Sequence, residues 1–534
     1  MKRSRSTVIC LIATMSAVLA LPYLAHAAAP SLADAAMQGD IRTVRELLKQ
    51  KVDVNVSQGD GMTALHWAAF RDNLEMARLL VQAGASVKTA TRIGAITPLF
   101  MACNNGSVEM IQLLLGAGAD ATAVNTVNGL TPLMAAATSG KAEAVKLLLD
   151  RGAQVNVKET GHGQTAIMFA AAFNRPAVVE ILASKGADLN AMTPVEDLTS
   201  RPKYDENGNL IKPDPNAAVA AGAARGTAAA MGGMTALLFA ARDGQIDAAK
   251  ALIQAGADVN LTSGAEHTSP LVMALTNARF DVGKYLLDQG ADPNIPNVYG
   301  LTALYAAIDA EYAPHSWAPA ALTTNEHVTL IEVARDLLDR GADPNAKLVK
   351  KLWYRPTSHG REWIRPEGSS PFWRAAMAAD VEAMRLLVQR GANPRTPSDD
   401  GDTPVMMAAG VGWIPGNFSQ TAPDPKAWLN AVKYCIEELG LEINTQDKLG
   451  YTALHGASWR ANHDVIRYLV EKGARLDLAN KKSEYVSDMA NGVEVNPGGD
   501  LPLEKPETVA LLVKLGAPVP KAPKATDGVV KKQN

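Results

Sequence analysis

The 534-residue chain has only three cysteines, and Cys10 lies in its first apolar stretch. Cys103 and Cys435 remain, too few for the disulfide framework of a small exported domain. Both fall in apolar helical patterns, where a free buried thiol is expected. Aromatic residues make up 5% of the chain, which argues against a sheet core of Val, Ile, Tyr and Phe. Positive charge is not in excess either: the formal charge is −3, a poor match to the phosphates of nucleic acid. After residue 22 no run is apolar enough to span a bilayer. The nearest, "NAAVAAGAARGTAAAMGG", is Ala and Gly interrupted by Arg225. Catalytic signatures are missing: there is no H-E-x-x-H, G-x-S-x-G, P-loop or C-x-x-C, and the histidines form no ligand cluster. These absences argue against an enzyme, a catalytic metal and a cofactor.

What is present begins with an export signal. Lys2, Arg3 and Arg5 precede "VICLIATMSAVLALP", and Ala25-His26-Ala27 supplies an A-x-A site. A Sec-type signal peptide over residues 1–27, cut between Ala27 and Ala28, is expected. Its apolar run is shorter than the ~20 residues of a membrane anchor. The residue directly after the cut is Ala28, not a cysteine, which speaks against lipid anchoring. Cleavage removes three positive charges and no acid, leaving a formal charge of −6 on a periplasmic or secreted chain without a membrane span.

A repeat organises the rest. "GMTALHWAA", "AITPLFMAC", "GLTPLMAAA" and "GQTAIMFAA" place Thr63, Thr97, Thr131 and Thr165 thirty-four residues apart. The series resumes at Thr235, Ser269, Thr302, Ser370, Thr403 and Thr452. A second landmark follows most of these, as in "LLLGAGADA", "LLDQGADPN" and "YLVEKGARLD". Thr or Ser before a helical run is an N-cap, and Pro98, Pro132, Pro270 and Pro404 suit a first helical turn. Ala68-Ala69 and Ala135-Ala136 permit close helix approach, Leu pairs fill the space between layers, and Gly118 or Gly256 ends a helix in a left-handed residue.

These motifs closely resemble the ankyrin repeat over most of the mature chain. The family's T-P-L-H-x-A core stands here as Thr63-Ala64-Leu65-His66-Trp67-Ala68 and as Thr452 to Ala457. The expected fold is all-α: an ankyrin-repeat solenoid of about twelve helix-turn-helix units with atypical ends, because one unit cannot bury its own apolar face. The resemblance puts His66 and His455 in structural roles within their turns. "SDDGDTP" at Ser398 falls where sibling repeats have Asp60-Gly61 or Asn128-Gly129, so it reads as a turn, not a calcium loop.

The period breaks at four insertions. Repeats are expected over 28–192, 233–347 and 369–519, with a flexible insertion at 193–232 and a basic-aromatic one at 348–368. Two more, 310–327 and 410–426, separate the helices of single repeats, and 520–534 is expected to be a disordered tail. Trp317, Trp353, Trp363 and Trp413 all fall in insertions. Trp353, Tyr354 and Trp363, with Arg355, Arg361 and Arg365, form a candidate anchor patch for an acidic partner. The same rings could instead cover the apolar flank of the solenoid. The expected function is a monomeric, non-enzymatic scaffold that binds protein partners outside the cytoplasm. The resemblance also allows assistance or protection of an envelope enzyme. The alternatives are a cell-envelope carbohydrate binder using Trp and Tyr platforms, and a secreted host-directed effector.

Overall fold

The computed structural model describes residues 31–197, 203–204, 210–211, 230–312, 326–352, 365–411, 426–492 and 505–521. The signal segment with its cut at Ala27 and Ala28, and the tail after residue 521, lie outside the described residues. The described chain is a succession of short helix pairs with almost no strand. Pairs such as Ala64–Phe70 with Leu74–Gln82, and Pro98–Asn105 with Val108–Gly116, repeat through Pro506–Lys514.

Local chemistry sets both ends of each helix. Thr97, Thr131, Thr235, Ser269, Ser370 and Thr403 stand in extended backbone and accept the third amide of the helix that follows. Among the described residues, five second helices have side-chain caps of their own, from Asp40, Asn73, Thr329, Asp380 and Asn462. After the second helices the chain reverses through glycines with positive φ, among them Gly84, Gly118, Gly256 and Gly391.

Packing joins these units into one array. The first helices stack on one another in one layer and the second helices in another. Ala64, Ala68 and Ala69 are fully buried in the first layer, while Met76, Leu80, Ile111 and Leu114 fill the second. Each buried Leu contributes roughly 1.5–3 kcal/mol. Small side chains let the first helices approach one another closely. Cys103 and Cys435 are buried free thiols in this core. Burial pushes the Cys435 thiol up to about 12 and that of Cys103 higher still, which leaves both unreactive.

Two hydrogen-bond seams run along the stack. In the first, the Asn of the G-A-D-x-N landmark reaches the next repeat. Asn156 donates to the Gly186 carbonyl (3.0 Å) and accepts the Asp188 amide (2.9 Å). Asn294 does the same with Gly341 and Asp343, both at 2.8 Å. In the second, successive finger turns pair through the backbone. Arg92 donates to Asp60 (2.9 Å), Thr126 to Gly94 (3.0 Å), Val349 to Tyr299 (2.8 Å) and Lys481 to Leu449 (2.8 Å).

The Asn seam joins the repeats on either side of the first three insertions, and at the fourth Arg395 takes the Asn position and donates to the Gly440 carbonyl (3.2 Å). Across residues 193–232, the Asp258 amide still donates to Asn190 (3.1 Å) and that of Ala248 to Asn174 (2.9 Å). That segment is expected from the sequence to be a flexible insertion, yet its described ends are paired. Val195–Asp197 runs antiparallel to Ala230–Gly232, and Lys203–Tyr204 runs antiparallel to Leu210–Ile211. At the third insertion the base belongs to the core: Leu348 and Leu352 are buried, and the Gly368 amide donates to Leu348 (2.8 Å).

Candidate protein-binding surfaces

Of the residues singled out in the insertions, Arg365 alone is described. Trp353, Tyr354, Arg355, Arg361, Trp363, Trp317 and Trp413 lie outside the described residues. The Arg365 side chain is 70% exposed and lies 3.8 Å from Asp400. Asp400 is also approached by Lys448 from the following finger (3.6 Å). Exposed Lys347, Lys350, Lys448 and Lys481 extend positive charge along the fingers from the third insertion to the last repeats.

The insertion bases are anchored in a defined way. At the second, the Tyr312 hydroxyl donates to Asp380 of the next repeat (2.6 Å). The returning strand ties to the preceding repeat, where the amides of His327 and Val328 donate to Asp281 (3.0 and 2.9 Å). The fourth insertion leaves through Gly410 and buried Val411. A Cβ on Gly456 would lie 2.4 Å from the Val411 amide nitrogen, so only glycine fits there. An open cleft of about 550 Å³ lies between these two bases, lined by Tyr312, Asp380, Arg385, Asn430, Lys433 and Tyr434. Tyr434–Glu438 forms a π-helical turn at its edge.

The first helices carry a second candidate surface. Four residues after the caps Thr63, Thr97, Thr165, Thr235 and Ser269 stand Trp67, Met101, Phe169, Phe239 and Met273, and at the ends of two of these helices lie Phe70 and Phe173. Phe70 and Phe173 are 51% and 42% exposed. Trp67 packs edge-on against Phe70 at 5.9 Å, and its indole donates to Gln58 (2.8 Å). Arg242 stacks on Phe239 at 4.9 Å. This half of the inner face is aromatic and Met-rich.

Charge enters the inner face farther on. The Arg374 guanidinium donates to Asp309 of the preceding repeat (2.8 Å) and to the Tyr312 carbonyl (3.1 Å), and both side chains of that ion pair are under a tenth exposed. Arg460 lies 3.4 Å over the Trp428 ring, and Lys505 lies 4.5 Å over Trp459. Burial lowers Arg460 to about 9 and Lys505 to about 8.

His66 and His455 are structural. The Thr63 amide donates to His66 Nδ1 (3.1 Å), which leaves Nε2–H to donate to Ile96 of the next repeat (3.0 Å). His455 is held by Thr452 in the same way (3.1 Å). Among the described residues no group of three His, Cys, Asp or Glu side chains is placed to hold a metal, and no helix is long and apolar enough to cross a membrane. Sequence reasoning missed the Asp309–Arg374 pair and the Asn seam. The recurring Asn of "GADLN", "GADVN" and "GADPN" was a visible signal for the seam.

A family model described as ankyrin repeats in three copies matches residues 32–125, 99–193, 217–297 and 237–315. Another, described as ankyrin repeats in many copies, matches residues 422–480. Alpha-latrocrustotoxin-Lt1a of Latrodectus tredecimguttatus is 27% identical over 122 residues, 23% of this chain and 8% of that protein. The probable 26S proteasome regulatory subunit p28 of Saccharomyces cerevisiae is 32% identical over 155 residues, 28% of this chain and 60% of that protein. Human ankyrin repeat domain-containing protein 37 is 28% identical over 112 residues, 21% of this chain and 61% of that protein. The matches therefore span less than two thirds of each of these relatives.

Proposed function

This chain belongs to the ankyrin-repeat family, and on that premise we propose that it is a non-enzymatic scaffold binding partner proteins outside the cytoplasm. Ankyrin repeats generally mediate protein–protein interaction, and their proteins are generally non-enzymatic scaffolds. One observation carries the reading for this chain: the first helices Ala64–Phe70, Pro98–Asn105 and Ala166–Ala172 present Trp67, Phe70, Met101, Phe169 and the adjoining Phe173 half-buried or exposed, with buried Ala135 in the helix between. Aromatic anchors dominate interface energies, and Met adapts to irregular surfaces. A rigid array of about twelve repeats pays little ordering entropy on binding. The basic fingers at Lys350, Arg365, Lys448 and Lys481 favour an acidic partner surface, and the export signal expected from Lys2 to Ala27 supports a partner in the periplasm or beyond. An envelope enzyme that the scaffold assists or protects fits both features.

The test is capture of partners from an envelope fraction, with affinity and melting measured on the same variants. Phe70→Ala with Phe173→Ala should weaken the captured complex by at least ~2 kcal/mol without lowering the melting point. Trp353→Ala with Trp363→Ala should do the same if the third insertion is an anchor. Full affinity in both double variants would reject these surfaces as the docking site.

A further inference from the structure

At the joint between the 398–402 and 447–451 turns, two buried carboxyl groups meet. Asp447 occupies the position held in sibling turns by Asn125, Asn297 and Asn480. Its Oδ1 accepts the amides of Leu449 and Tyr451, both at 2.8 Å. Asn297 likewise accepts those of Tyr299 (3.0 Å) and Leu301 (3.1 Å). Asp402 stands where Met62, Leu130 and Leu301 stand in other repeats, and it is wholly buried. The Ser398 hydroxyl donates to its Oδ2 (2.7 Å), but no protein group donates to Oδ1. The charged group that bears on it across the joint is the Asp447 carboxyl, itself an acceptor. The turns are pressed together: a Cβ on Gly401 would lie 3.4 Å from Asp447 Cα, and the Lys448 amide donates to the Asp400 carbonyl (2.7 Å).

We propose that a proton holds this joint shut: Asp402, as the neutral acid, donates to the Asp447 carboxylate, and losing that proton loosens the two repeats. Asp447 is the ionised member because two backbone amides already stabilise its charge. The charged groups around the joint do not relieve Asp402. Asp399 and Asp400 belong to its own turn, Glu367 and Arg365 to the preceding one, and Lys448 to the following one. Both cations lie against Asp400. Burial first, then the neighbouring Asp447 and Asp400, raise the Asp402 carboxyl to about 7. The folded acid therefore binds its proton more tightly than the unfolded one. Its contribution is complete at low pH and is lost as pH rises from about 4 towards about 7. The switch does not depend on which partner the scaffold binds, yet its turn is tied to the described end of the third insertion, where the Asp399 amide donates to the Glu367 carbonyl (2.7 Å).

Hydrogen exchange on the full chain, corrected for intrinsic amide chemistry, tests this at pH 5 and pH 7.5. Protection in peptides spanning 398–411 and 445–458 should fall more than tenfold over that interval, relative to the 125–131 turn. Asp447→Asn should remove the difference, because its amide can donate to an ionised Asp402. Asn already serves at this position in the sibling turns, so the variant should fold. Equal protection at both pH values in the unaltered protein, or an unchanged pH dependence in Asp447→Asn, would overturn the proposal.

Discussion

His455 sits wholly inside the stack, and burial pushes its imidazole down to about 4. The unfolded chain takes up that proton near 6.5, so the native state loses stability as pH falls from about 6.5 to about 4. The loss should be about 3 kcal/mol in urea unfolding followed over that range. His455→Met should flatten the curve, since Met134, Met168 and Met406 serve at the same point of other repeats. An unchanged slope in the variant would assign the acid sensitivity elsewhere. The role of this residue was legible because T-A-L-H is a local motif whose partner lies three residues away. The Asp309–Arg374 pair was not, because its members are 65 positions apart and separated by two insertions. Broken by removing one partner, such a buried pair costs roughly 3–5 kcal/mol.

The same contrast holds for whole elements. Caps, small-residue faces and reversing glycines recur in each period, so helix positions follow from spacing alone. Where the period stops, so does that information: nothing in the pattern marks Val195–Asp197 and Ala230–Gly232 as paired strands, because each is only three residues long. Nor could it place Val411 against Gly456, a contact between neighbouring repeats that explains the glycine in "ALHGASWR". Helix Val108–Gly116 offers the direct test of how far one element depends on its neighbours. Leu114 is fully buried there. Leu114→Asp should abolish protection across the adjoining repeats while those beyond residue 365 keep theirs for longer. Uniform loss along the chain, measured by hydrogen exchange, would mean that the array unfolds as one cooperative block.

At the scale of the whole molecule, the two hydrogen-bond seams join the repeats on either side of each insertion. Each insertion therefore adds chain length between repeats that the seams already join. Pulled from its ends, the array should not stretch evenly; repeats should peel away one at a time, each releasing the chain it had gathered. A regular unit of thirty-four residues would add roughly 110 Å of contour. The stretch from Thr165 to Thr235, seventy residues long, would add roughly 230 Å, and that from Thr403 to Thr452, forty-nine residues long, roughly 160 Å. Single-molecule force spectroscopy should record these unequal steps, and a trace of equal steps only would refute this account of the seams. If it holds, the insertions act as built-in length markers, and the order of the long steps reports from which end the protein gives way.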